Sequence, residues 1–203
     1  MRIIYIESKL KNLELNLPIT EIKKLPKRLF LAYSVQYKNL ANSIKILLES
    51  NNINITKFKQ VLGCSKINAK EPVLLIGTGR FHAINLYLRA PEIYTLENNK
   101  IIQVSKQEIE QLKIKRKTAL MKFLSADKIG IIVSTKLGQE NIKRAIKLKQ
   151  KLEKTCKQSY IFLSNNINIA ELENFNINSW INTACPGLAL DSNKIVNADE
   201  VKI

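Results

Sequence analysis

The chain is predicted to be an α/β protein made of two small parallel-sheet, Rossmann-like domains flanked by helices. Three observations lead there. Short buried apolar runs alternate with amphipathic stretches along the 203 residues, the pattern of parallel strands covered by crossover helices. The alternation runs once, passes a long helical stretch near residue 115, and then restarts. The length suits one large domain or two small ones with proper cores, and 45% hydrophobic with 25% charged residues is ordinary for a globular chain.

In chain order, Arg2–Ile6 reads as a strand that starts almost at the first residue. Arg28–Tyr33 (RLFLAY) is a buried strand, followed by a helix over Lys38–Ser50 with Leu40, Ile44, Leu47 and Leu48 on one face. Val73–Ile76 is a second buried strand; Ile93–Leu96 and Ile101–Val104 are shorter ones. A helix over Lys106–Ala126 aligns Ile109, Leu112, Leu120, Phe123 and Leu124 in one stripe. The second round has a strand at Ile129–Ser134 and a helix over Gln139–Lys154 with Ile142, Ala145, Ile146 and Leu152 inward. A strand at Tyr160–Leu163, a short helix at Ile169–Asn174 and a strand at Ser179–Thr183 complete it. These rounds place one domain at residues 1–105 and the other at 106–203.

No apolar run approaches the roughly 20 residues of a membrane-spanning helix. The N-terminus MRIIYIESKL lacks a long apolar segment and a small-residue cleavage site, so a cytoplasmic location is expected. Thirty-three basic residues against 17 acidic ones give a net charge of +16. Such a charge can steer a protein towards nucleic acid or an acidic partner. It also fits a chain rich in Lys, Ile and Asn throughout, with Lys113, Lys115, Lys117 and Lys122 simply solvated on a helix. Three cysteines, Cys64, Cys156 and Cys185, are too few for a disulfide framework and lack the paired spacing of a zinc site.

Ligands of parallel sheets bind beyond the carboxyl ends of the strands, so the turns there carry the interest. Four stand out: Gln60–Cys64 (QVLGC), Gly77–His82 (GTGRFH), Ser134–Gln139 (STKLGQ) and Thr183–Pro186 (TACP), the last closing the final parallel strand. GTGRFH invites a dinucleotide reading, with Gly77 and Gly79 as the first two glycines of GxGxxG and Glu97 twenty residues on. His82, however, stands where the third glycine belongs. In STKLGQ, Gly138 and a following helix N-terminus would offer N–H groups to an anion, with Lys136 adding charge; a plain strand-to-helix turn would look the same. A single cysteine is by default a buried structural thiol. Two at glycine- or proline-flanked loop positions, Cys64 and Cys185, fit that default less well. Cys156, at the end of a polar helix in KLEKTCKQS, is incidental.

Taken in order, QVLGC, GTGRFHA, STKLGQ and INTACPGLALD resemble the diphthamide synthesis family, the enzymes that make 3-amino-3-carboxypropyl-histidine. SVQYKN (Ser34–Asn39) is similar to the family's TxQ segment, and FLSNNINIAELENF and KIVNADEV extend the likeness over nearly the whole chain. The resemblance implies a transferase with three similar domains, each giving one cysteine to a 4Fe-4S cluster. By a radical mechanism such an enzyme transfers a 3-amino-3-carboxypropyl group from S-adenosylmethionine to a histidine of elongation factor 2. Carried over, Cys64 matches the middle-domain cysteine and Cys185 the last-domain cysteine. Gln36, Gly77, Gly79, Arg80, His82, Lys136, Gly138 and Gln139 would lie around the cofactor.

The same resemblance makes this chain the middle and C-terminal domains. The first domain and third cluster cysteine are then expected from a separately encoded chain, in a hetero-oligomer or dimer. Where the family carries an arginine after TACP, able to grip the methionine carboxylate bidentately, this chain has Gly187. Two other readings stay open on sequence alone: a non-catalytic partner subunit of such an enzyme, and a basic nucleotide- or nucleic-acid-binding module without a cluster.

Overall fold

The structure, a computed structural model, describes residues 8, 10, 16–62, 65, 67–77 and 90–202. The expected strand at Arg2–Ile6 lies outside them. The chain divides into two compact units, Met1–Ile109 and Glu110–Ile203.

In the first unit a four-residue helix α1 (Ile19–Ile22) precedes β1 (Arg28–Tyr33), a 3-10 turn (Val35–Tyr37) and α2 (Lys38–Ser50). Then come β2 (Asn54–Gln60), β3 (Val73–Ile76), β4 (Ile93–Glu97) and β5 (Lys100–Gln103), in the sheet order β2-β1-β3-β4-β5. The first four are parallel neighbours; β5 runs antiparallel to β4. The sheet is therefore mixed. Asn98 and Asn99, both at positive φ (48° and 58°), turn the chain in two residues, and a loop that short joins only antiparallel strands.

Leu29, Leu31 and Tyr33 of β1 pack with Ala41, Ile44 and Leu48 of α2 on one face, joined by Leu40 and Leu47 at its margin. Phe30 and Ala32 pack with Val73, Leu75 and Ile93 on the other. Burial on both faces explains why β1 and β3 read as unbroken apolar runs. β2 escaped the sequence reading because it is a sheet edge. Its Lys57 and Lys59 are exposed, a charged edge that discourages pairing with another chain, while Phe58 stacks on Tyr33 with ring centres 4.7 Å apart. Glu21 ties α1 to β5. Its carboxylate accepts from Lys24 Nζ (2.6 Å) and from the Ile101 N–H (2.8 Å), and these two bonds, in that order, hold its pKa below the usual carboxylate value.

The second unit holds most of α3 (Lys106–Ser125), then β6 (Lys128–Ser134), α4 (Ile142–Lys154) and β7 (Gln158–Ser164). A 3-10 turn (Ala170–Asn174), β8 (Ser179–Asn182), the short α5 (Leu188–Asp191) and β9 (Ile195–Asn197) complete it. The sheet order is β7-β6-β8-β9, all parallel. β9 and α5 lie beyond the elements expected from sequence, so TACP follows an interior strand rather than the last one.

Two expected helix faces are corrected. On α4 the buried residues are Ala145, Leu148 and Leu152, at helical spacing, and Ile146 is 45% exposed because it lies about 100° round from Ala145. On α3, Phe123 is buried but Leu124 is 62% exposed, and the middle of the stripe is Arg116 at 9% exposure. The Arg116 guanidinium donates to Ala189 O (2.6 Å), Ile195 O (2.9 Å) and the Glu200 carboxylate. Lys115 and Lys122 are not merely solvated either: they donate to Leu190 O (2.5 Å) and Asn193 Oδ1 (2.9 Å).

Gly130 decides how β6 and β8 meet. It pairs in register with Trp180, and a Cβ on it would lie 2.2 Å from ring atoms Cε3 and Cζ3. The indole occupies that space, and Phe162 meets it edge-on with centres 4.7 Å apart.

Candidate functional site

In the first unit, parallel pairing brings three of the interesting segments to one sheet edge. Tyr33, the last residue of β1, pairs with Gln60 of β2 and with Ile76 of β3. QVLGC, SVQYKN and GTGRFH therefore all leave the sheet at the carboxyl ends of adjacent strands. Cys64, Gly79, Arg80 and His82 lie outside the described residues. Of their neighbours, Val61 N–H bonds Tyr33 O (2.8 Å), and Leu62 N–H bonds Ser65 Oγ (2.8 Å).

Gln36 is exposed on the 3-10 turn that follows β1, and its backbone oxygen accepts from Leu10 N–H at 3.2 Å. Gly77 follows β3 directly. A Cβ there would approach Ser34 Oγ to 3.1 Å, so only a glycine leaves that hydroxyl clear. Ser34, 8% exposed, holds its backbone N–H to Ile76 O (3.0 Å), and its Oγ has no hydrogen-bond partner among the described residues. A buried unpaired hydroxyl is costly, and this one lies where a ligand of a parallel sheet would bind. In the sequence Ser34 stands only as the first residue of SVQYKN, with nothing to mark its hydroxyl as buried and unpaired.

In the second unit STKLGQ forms its own turn. Ser134 Oγ accepts from Lys136 N–H (3.1 Å) and Lys136 O from Gln139 N–H (3.0 Å), with Gly138 at φ 79°. Lys136, Gly138 and Gln139 are exposed. α4 starts only at Ile142, so its free N–H groups begin beyond the motif instead of inside it.

The TACP loop leaves β8 at the carboxyl edge of the same sheet. Thr183 is still held to β6, its N–H and Oγ1 both donating to Ile132 O (3.0 and 2.8 Å). Beyond it Cys185 is half-buried with a free thiol, and Leu188 N–H returns to Cys185 O at 3.1 Å. Gly187 is buried and in ordinary helical backbone ahead of α5. Cys156, by contrast, is exposed at φ 59°, the left-handed residue that ends α4. Among the described residues no three His, Cys, Asp or Glu side chains cluster as a metal site, and no helix is long and apolar enough to cross a membrane.

These features define an α/β protein whose parallel strands present a thiol loop, a glycine turn and, among the described residues, an unpaired hydroxyl at their carboxyl ends. Residues 1–198 match the diphthamide synthesis protein family, and the chain belongs to that family. A 2-(3-amino-3-carboxypropyl)histidine synthase of Pyrococcus horikoshii is 29% identical over 185 residues, 85% of this chain and 54% of the relative. The synthase of Methanocaldococcus jannaschii is 28% identical, covering 81% and 46%. A eukaryotic relative from Yarrowia lipolytica, named as subunit 1 of the synthase, is 28% identical, covering 75% and 36%. Crystal structures of Dph2 from Pyrococcus horikoshii, one of them with a 4Fe-4S cluster, superpose with a TM-score of 0.75 at 26% identity. The superposition covers 88% of this chain and 57% of Dph2. The chain thus spans about half the length of the archaeal relatives it matches.

Proposed function

We propose that this chain forms part of a 2-(3-amino-3-carboxypropyl)histidine synthase acting on a histidine of elongation factor 2, with S-adenosylmethionine as donor. The observation that carries the reading is Cys185. It is a half-buried free thiol in a loop at the carboxyl edge of a parallel sheet, in a chain whose structural relative has been solved with a 4Fe-4S cluster. A thiol so placed suits the donor chemistry of an iron–sulfur cluster, whose ligands are cysteine thiolates.

Cys64 and Cys185 would serve as two of three ligands. A partner subunit would carry the third; the name of the eukaryotic relatives, subunit 1 of the synthase, supports a multi-chain enzyme. When bound, the cluster supplies the electron that breaks a carbon–sulfur bond of S-adenosylmethionine. The chain's own groups bind and orient that donor. Gln36 and Gly77 are candidates for that role, with Gly79, Arg80 and His82 assigned to it by the family likeness, and the Ser34 hydroxyl, unpaired among the described residues, is a donor for the ligand's polar end. Lys136, Gly138 and Gln139, exposed in the turn after β6, are assigned to the same donor by the family likeness.

Lys143, Lys147 and Lys154 on the outward face of α4 are exposed and give the basic surface a folded, acidic partner would meet. Such a substrate places the reaction in the cytoplasm.

The test is iron and sulfide content after anaerobic purification together with the co-expressed partner. Cys64→Ser and Cys185→Ser should each lose most of the iron, and Cys156→Ser none. Equal retention in all three variants overturns the assignment.

A further inference from the structure

The backbone of the TACP loop is held, residue by residue, by side-chain amides from three separate elements. Asn141, just before α4, donates Nδ2 to Thr183 O at 2.9 Å. Asn182, the last residue of β8, accepts the Ala184 N–H on Oδ1 (2.9 Å) and donates Nδ2 to Cys185 O (2.8 Å). Asn197, the last residue of β9, donates Nδ2 to Pro186 O at 3.3 Å. Its Oδ1 accepts a second bond from Asn182 Nδ2 at 2.9 Å. One backbone group on each of four consecutive residues, Thr183 to Pro186, is thus held by three asparagines.

The choice of residue has a physical reason. A carboxamide is the neutral side chain that offers a donor pair and an acceptor in one rigid plane. Asn182 is 2% exposed and must accept on one side of Cys185 while donating on the other. Aspartate in its place would set a carboxylate against two oxygens, and leucine would leave an N–H and a carbonyl unpaired in the interior, each costly. The surroundings of Cys156 differ. Its amide makes a helix-end bond to Glu153 O and no side-chain amide holds its loop among the described residues.

We infer that Asn141, Asn182 and Asn197 are positioning residues that hold the Cys185 loop rigid, and so aim its thiolate at the cluster. The second half rests on the function proposed above. Rigidity matters because a ligand held in its binding geometry before the metal arrives loses little freedom on coordination.

The isolated chain tests the first half. Alkylation of each thiol is followed by mass spectrometry, with exposed Cys156 as internal standard. Asn182→Ala should raise the Cys185 rate roughly tenfold, and Asn197→Asp, which keeps the Oδ1 acceptor and loses one donor, about threefold. The Cys156 rate should stay unchanged. Cys185 rates within twofold of wild type in both variants would overturn the proposal, and the milder variant keeps the test valid if Asn182→Ala fails to fold.

Reconstituted complex with the partner tests the second half. Asn182→Ala or Asn197→Asp should shift the electron paramagnetic resonance signal and speed iron loss. An unshifted signal, in a protein where Cys185→Ser does lose its iron, overturns the positioning role and leaves the ligand assignment standing. If Cys185→Ser keeps its iron, the ligand assignment itself fails, whatever the alkylation rates show.

Discussion

Replacing Gly130 by alanine should destabilise the second unit through a single contact. The added Cβ would lie 2.2 Å from Trp180 Cε3 and Cζ3 and 2.9 Å from Cδ2, whereas carbon atoms in good contact stand about 3.5–4.0 Å apart. The indole must therefore retreat by more than about 1 Å. It has little room, with Phe162 edge-on at 4.7 Å, Phe175 at 6.1 Å and Trp180 itself 2% exposed. Overpacking of this kind costs about 1–3 kcal/mol, and complete loss of the tryptophan's packing, about 3–5 kcal/mol, sets the ceiling. Alanine's smaller backbone entropy loss returns roughly 0.5–1 kcal/mol. The net expectation is about 1–2 kcal/mol, a fall in Tm of roughly 5–10 °C for a domain of this size.

Trp180 is the sole tryptophan, so urea unfolding followed by its fluorescence reports on this unit directly. The double variant Gly130→Ala, Trp180→Leu, followed with the three other members of the cycle by far-ultraviolet circular dichroism, should cost less than the sum of the two single changes, since removing the ring removes the clash. An unshifted midpoint in Gly130→Ala, or strict additivity in the double variant, would refute the reasoning.

Arg116→Met should cost about 3 kcal/mol, because it strands the Ala189 and Ile195 carbonyls and the Glu200 carboxylate; thermal unfolding against wild type measures it. Tyr94 donates its hydroxyl to Glu92 at 2.9 Å, and burial, then this bond and the carboxylate charge, push its pKa up to about 12 from 10.0. The folded state therefore holds that proton more tightly, and the resulting stability is full below pH 10 and lost as pH rises towards 12. Tyr94→Phe should flatten the fall in urea midpoint across that window; an equal fall in both proteins would count against it. Association with elongation factor 2 should weaken as salt rises from low ionic strength, and Lys143→Glu with Lys147→Glu should weaken it further. Calorimetry that detects no binding at low salt would remove that partner.

The repeating order of strand and helix was legible in the sequence because burial on both faces leaves continuous apolar runs, and those at Arg28–Tyr33, Val73–Ile76 and Ile129–Ser134 are such strands. The turns STKLGQ and TACP, both within the described residues, were legible too, since glycine, proline and cysteine at strand ends carry a local signal. Other features were decided by tertiary structure. β2 is an edge strand whose lysines break the apolar pattern, and β9 is too short to show periodicity. The antiparallel course of β5 depends on two asparagines adopting positive φ, which their identity permits without requiring it. Arg116 reads as one more solvated lysine-like charge until the carbonyls of α5 and β9 close around it. The asparagines at 141, 182 and 197 look like three of many in an Asn-rich chain. Only the folding of the second unit brings their amides, from the start of α4 and the ends of β8 and β9, to the backbone of Thr183–Pro186 around Cys185, because hydrogen bonds between residues distant in the chain leave no local trace in the sequence.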